Sequence, residues 1–339
     1  MDTKRSFFPL LFLGLVAAAC SAPEPERPTI GHVEAVLPEM ADLVPEGARV
    51  EVLAEGFGWS EGPLWLGGET GLVFSDTRTN IVHSYSGGDS AGVWLTPSGY
   101  TGAVPRGGGL GSNGLTTNDA GQLILAQHGD RRIARMAAPV TDPEPEFETI
   151  VDNWQGLRLN SPNDLVFGPD HALYFTDPPY GLVHPDSADI GFSGVYRLSA
   201  SGEMSLIDST LTRPNGIAVS PDGSTLYVAN SDPERSIWMA YDLGADGSVA
   251  GGRLFYDTTD LVGPDAPGLP DGLKLDTDGR IWATGPGGVF VFRPDGTHIG
   301  TIRTEVQTAN VAFGPDGTLY LTSSSYLARI STNVTGQGF

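Results

Sequence analysis

Glu61, Asn113, Asn163, Asn215 and Asp271 stand at the same point in five copies of one short phrase. The copies are Ser60-Glu61-Gly62-Pro63, Ser112-Asn113-Gly114-Leu115, Ser161-Pro162-Asn163-Asp164, Arg213-Pro214-Asn215-Gly216 and Leu269-Pro270-Asp271-Gly272. Glu61, Asn163, Asn215 and Asp271 offer two carboxylates and two amide carbonyls, all hard oxygen donors. Such a set suits Ca2+, which accepts many oxygens in irregular geometry. Two carboxylates balance a divalent charge, and water would complete the shell. No His or Cys occupies these positions, which argues against a dedicated zinc centre, although Mg2+, Mn2+ or Zn2+ could substitute.

Asn-Gly and Asp-Gly are also common turn dipeptides, and Pro221-Asp222-Gly223, Pro294-Asp295-Gly296 and Pro315-Asp316-Gly317 read as turns. Register separates the two groups. From Asn113, Asn163, Asn215 and Asp271 it is always eight residues to a turn position, at Gly121, His171, Gly223 and Gly279. Pro270-Asp271-Gly272 therefore precedes its turn as Asn215 does, rather than being one. A sixth copy before Leu319-Tyr320-Leu321 carries only Ala309 at the key point.

The elements that must carry these side chains follow from the spacing. Successive key positions lie 52 (61 to 113), 50 (113 to 163), 52 (163 to 215), 56 (215 to 271) and 38 (271 to 309) residues apart. A period near fifty with about four strand-length runs per unit predicts a propeller. With 46 glycines, 26 prolines and no long helical period in 339 residues, the chain reads as all-β. Only thirty residues follow Ala309, so the sixth blade needs a strand from Arg49 to Ala54. We expect a six-bladed β-propeller over residues 46–339, its innermost strands bringing the key residues into a ring around the axis.

The first nineteen residues read differently. Lys4 and Arg5 precede an apolar run from Phe7 to Val16, then Ala17-Ala18-Ala19-Cys20. The run is short for a membrane span and has the flanks of an export signal. Residues 1–19 are expected to be a lipoprotein-type signal peptide, Cys20 a lipid anchor, and residues 20–45 a tether. That predicts an exported protein of the bacterial cell envelope or periplasm, touching membrane only through the anchor. Cys20 is the only cysteine, which excludes an internal disulfide and a thiolate cluster. The formal net charge is −22; losing Asp2, Lys4 and Arg5 makes it about −23, which argues against nucleic acid or anionic lipid as a partner.

The chain resembles the senescence-marker-protein/gluconolactonase/luciferin-regenerating family, and most of all its bacterial gluconolactonases. The likeness runs from about Val50 to Ile330. It rests on Glu61-Gly62-Pro63-Leu64-Trp65, Ser112-Asn113-Gly114 with His128-Gly129-Asp130-Arg131-Arg132, and Ser161-Pro162-Asn163-Asp164 with Tyr174-Phe175-Thr176-Asp177-Pro178-Pro179-Tyr180-Gly181; Arg213-Pro214-Asn215-Gly216-Ile217-Ala218 and Pro270-Asp271-Gly272 continue it. The resemblance implies Glu61, Asn163, Asn215 and Asp271 as metal ligands, Asp271 also as catalytic base or nucleophile, and Asn113 as a substrate contact. It implies a small lactone as substrate. Other lactones or organophosphate esters at the same ion, or a non-catalytic propeller stabilised by metal, are the competing readings.

Among the remaining residues, His128 follows the second strand of its blade and could hydrogen-bond a sugar hydroxyl or simply bond to loop backbone. Asp76, Gln127, Asp177 and Asn230 end equivalent strands, as partners that orient the ligands or as polar caps. Tyr180 and the loop from Gly181 to Phe192 could roof the pocket.

Overall fold

The protein was analysed as a computed structural model, which describes residue 1 and residues 27–338. The expected signal peptide and Cys20 lie outside the described residues. Among the described residues six antiparallel sheets make up the ring; four run from axis to rim in sequence order, and the fifth and sixth are completed at the rim by strands from the N-terminal stretch. Their innermost strands are Ser60–Gly67, Ser112–Thr117, Leu165–Phe167, Pro214–Val219, Leu273–Leu275 and Thr308–Phe313. Each contacts the next, and the sixth contacts the first, so the expected six-bladed propeller closes.

Burial grades outward along each blade. The second strand Gly71–Asp76 is buried throughout, because neighbouring blades cover both its faces. The outer strand Val249–Asp257 is mostly exposed or half-buried. Six apolar clusters form the core, each shared by two adjacent blades. Between blades four and five, for example, Tyr227 and Trp238 meet Leu273, Phe290 and Phe292. Stability is thus distributed around the ring rather than concentrated on the axis, which leaves the axis free for polar side chains.

Closure occurs as the strand count requires. Val50–Glu55 pairs with Tyr326–Ser331 and supplies the outer strand of blade six, with Glu51 opposite Arg329. The expectation of a tether over 20–45 is corrected from Thr29 onward. Thr29–Ile30 pairs with Val50 and Glu51. His32–Ala35 then adds a fifth strand to blade five, with Val33 opposite Ile302. The short helix Met40–Leu43 follows, and Met40, Leu43 and Val44 are buried in the core between blades five and six. Their i, i+3, i+4 spacing is the helical signal that the prolines around them obscured.

Adjacent inner strands approach closely through glycine. A Cβ added at Gly62, where φ is +46°, would lie 1.9 Å from the carbonyl oxygen of Asn113, and one at Gly216 would lie 2.1 Å from that of Asp271. Backbone N–H groups exploit the same proximity: Gly114 N donates to Asn163 O at 2.7 Å and Gly272 N to Ala309 O at 2.7 Å. Gly62→Ala should cost about 1–3 kcal/mol by overpacking and an unfavourable φ. A thermal melt checks it; an unchanged midpoint would mean that blades one and two can part without penalty.

Candidate functional site

The key residues reach the axis through irregular pairing. In blades one, two and four the ladder between first and second strands shifts register between Glu61 and Leu64, Ser112 and Leu115, and Pro214 and Ile217. In blades three and five the regular pairing starts only at Leu165 and Leu273, two residues after Asn163 and Asp271. A bulge releases a side chain from strict alternation and re-aims it. The strand-end residues secure this geometry from behind. The Asp76 carboxylate accepts from Gly58 N and Trp59 N at 2.7 and 3.0 Å, and Asp177 from Asn160 N and Ser161 N, both at 2.7 Å. Asn230 Oδ1 accepts from Arg213 N at 2.9 Å, and Gln127 donates to Ser98 O at 2.9 Å. In blades one, three and four each grips backbone two or three residues before the key position, so these side chains position the ring through its main chain. Burial raises the Asp177 carboxyl to about 7, against the pull of its two N–H donors.

Glu61, Asn113, Asn163, Asn215 and Asp271 are all at most 6 % exposed. Glu61 and Asp271 feel each other's charge, and both feel Asp164. Burial, with Asp164 adding repulsion, lifts Glu61 to about 7. Burial and then Glu61 and Asp164 hold Asp271 well above the usual carboxylate range, although the Asn215 amide hydrogen-bonds it. Asn113 Oδ1, Asn163 Oδ1, Asp164 Oδ2 and Asp271 Oδ1 are buried with no hydrogen-bond partner among the described residues. Four bare acceptors beside mutually repelling carboxylates would cost several kcal/mol uncompensated. A hard cation satisfies both conditions at once. Among the described residues no three His, Cys, Asp or Glu side chains are grouped to hold a metal alone, so asparagine oxygens must share in any shell. The donor set fits Ca2+ on these grounds.

Two residues of the ring were missed by sequence reasoning. The position after the key residue is Gly62, Gly114, Gly216 and Gly272 in four blades, but Asp164 in the third and Asn310 in the sixth. Asp164 Oδ1 accepts from Leu165 N at 2.9 Å, leaving Oδ2 free, while the Asn310 side chain hydrogen-bonds Glu61. Comparing that one column across the copies would have found both. Ala309 is buried and brings no donor.

His128 is 3 % exposed, with Nε2 lacking a partner. It packs under Gly181, at which a Cβ would lie 2.7 Å from those of both His128 and Ser161. That seat is on the side of the mouth between blades two and three. Burial, then the nearby Arg106 charge, push the imidazole down to about 4, so it is neutral at neutral pH. Tyr180, on the turn Pro179–Gly181, reaches the other way: its hydroxyl lies within hydrogen-bonding range of Ser231 and Asn215 and beside the Asp271 charge.

Comparison with known proteins places the chain as a whole. A family model described as SMP-30/Gluconolactonase/LRE-like region matches residues 59–325. A gluconolactonase of Zymomonas mobilis subsp. mobilis is 37 % identical over 318 residues, covering 91 % of this chain and 88 % of that protein. The structure of a gluconolactonase from Xanthomonas campestris superposes with a TM-score of 0.76 at 29 % identity, over 91 % of this chain and 99 % of the other. A calcium-binding protein, regucalcin, from Agrobacterium tumefaciens shares the fold at 22 % identity, with a TM-score of 0.65 over 84 % and 94 % of the two chains.

Proposed function

Since the chain belongs to the SMP-30/gluconolactonase/LRE-like family of lactone hydrolases, we propose that it hydrolyses a sugar lactone of the gluconolactone type with the help of Ca2+. Glu61, Asn163, Asn215 and Asp271 would hold the ion. The observation that carries this reading is the set of buried, donor-free oxygens on Asn163 and Asp271 beside two repelling carboxylates. Bound there, a divalent cation supplies Lewis-acid polarisation of the lactone carbonyl.

The chain's own residues account for the rest. The Asp271 carboxylate accepts a proton from the attacking water, whose oxygen forms the new bond to the carbonyl carbon. Asn215 holds the Asp271 carboxylate in place through its amide. The carbon–oxygen bond of the ring ester breaks, and the proton returns from Asp271 to the departing alkoxide oxygen. The product is the open-chain hydroxy acid. Asn113, with its free Oδ1, and neutral His128, with its free Nε2, contact hydroxyls of the substrate. The apolar leader and Cys20 support an exported, lipid-anchored enzyme.

Proton release on glucono-1,5-lactone tests the reading. Hydrolysis should fall to background in EDTA and return on adding Ca2+. Full turnover in EDTA, after metal analysis finds the protein free of metal, would refute the role of the ion. Absence of turnover with bound Ca2+ would favour a binding propeller instead.

A further inference from the structure

We propose that Tyr180 is a specificity-determining contact that reads the hydroxyls of the lactone ring, working with Ser231 on one flank and His128 on the other. The inference rests on the lactonase reading above and adds to it the residue that selects a polyhydroxylated substrate.

The turn that carries Tyr180 is fastened on three sides. Leu182 N donates to Pro179 O at 3.2 Å, closing the turn. Ser161 Oγ donates to Pro178 O at 2.5 Å and accepts from Gly181 N at 2.8 Å. The Arg106 guanidinium, arriving from the connection between blades one and two, donates to Gly181 O and, at 2.5 Å, to Gly129 O. Ser161 is itself two residues before Asn163, so the turn is built on the same backbone that presents a proposed ligand. A residue on an ordinary surface excursion has no need of such anchorage.

From this base the phenol crosses to blade four, where Ser231 and Asn215 are in hydrogen-bonding range and Asp271 is close enough to act on it by charge. A tyrosine hydroxyl is uncharged at neutral pH. The residue as a whole is nonetheless 38 % exposed, so it stays open to an incoming molecule. Tyr180 and His128 therefore meet the substrate as uncharged groups, each with donor and acceptor capacity. Uncharged, two-way partners match alcohols better than carboxylates or phosphates. A site built to hydrogen-bond substrate hydroxyls also rejects analogues that lack them.

The test compares glucono-1,5-lactone with δ-valerolactone, which has the same ring and ester but no hydroxyls, in the full chain with Ca2+. In Tyr180→Phe the ratio of kcat/KM for the sugar lactone over that for δ-valerolactone should fall about tenfold, the equivalent of one lost hydrogen bond, and the loss should appear chiefly in KM for the sugar lactone. A matching melting midpoint excludes a folding defect. An unchanged ratio, whether both substrates suffer equally or neither does, would overturn the proposal while leaving the lactonase reading intact. Turnover of neither lactone by the wild-type protein would overturn both.

Discussion

Asp271→Asn should lower kcat for lactone hydrolysis by about 10²- to 10⁴-fold, the range of a positioned general base. The substitution keeps the volume and one oxygen donor of the side chain but removes its ability to take a proton. Because Asn163 and Asn215 already stand at equivalent points of other blades, the variant still presents a ring of oxygen donors. Stopped-flow proton release at saturating Ca2+, with isothermal titration for the ion, separates the two roles of the residue. A variant within about tenfold of the parent in kcat would remove Asp271 from the proton-transfer step.

Stability should respond to Ca2+, and the response should depend on pH. A ligand that binds only the native state stabilises it by about 2.7 kcal/mol at a hundred times its Kd, a rise in Tm on the order of 5 °C for a chain of this size. The pH dependence follows from Glu61. Its native value, about 7, lies above its ordinary value of 4.5, so the folded metal-free protein binds that proton more tightly than the unfolded chain does. The resulting stability is fully present below the unfolded value and is lost as pH rises through about 7. Ca2+ relieves the ionised pair, so the gap in Tm between Ca2+ and EDTA should be small near pH 5 and widest above pH 7. Calorimetric melts at the two pH values measure it. An equal gap at both would mean that Glu61 ionises without hindrance and lies outside the ion's field.

The blades and the ring were legible in the sequence because a fixed register repeats both turn and side chain: Asn215 to Gly223 and Asp271 to Gly279 keep one distance in two blades that share little else. Less visible were the contributions that depend on neighbours across the ring. Asp164 and Asn310 acquire meaning only because adjacent copies have glycine at that point and because the carbonyl of the next blade lies against it. Tyr180 belongs in sequence to blade three but serves residues of blade four, a contact that no local pattern encodes. Thr29 to Val44 was obscured in another way: proline-rich flanks signalled a linker, while burial of Met40, Leu43 and Val44 needed a groove formed by residues some 250 positions later. Asp76, Asp177 and Asn230 fall between these cases. Their equivalent positions were apparent, whereas their hold on the backbone before each key residue came from the hydrogen bonds.

The strand Val50–Glu55, paired with Tyr326–Ser331, also sets an order of events in folding. Blades one to four and the four inner strands of blade five can form from neighbouring sequence, but the sixth joins partners separated by nearly the whole chain, and such pairings are slow to nucleate. The proposed ligands span this junction, Glu61 on one side and Asp271 on the other. Until the two ends meet, the carboxylates are apart and their repulsion is not yet felt. The proposed cation site would then be the last structure to exist, and Ca2+ affinity would read out completed closure as well as catalytic competence.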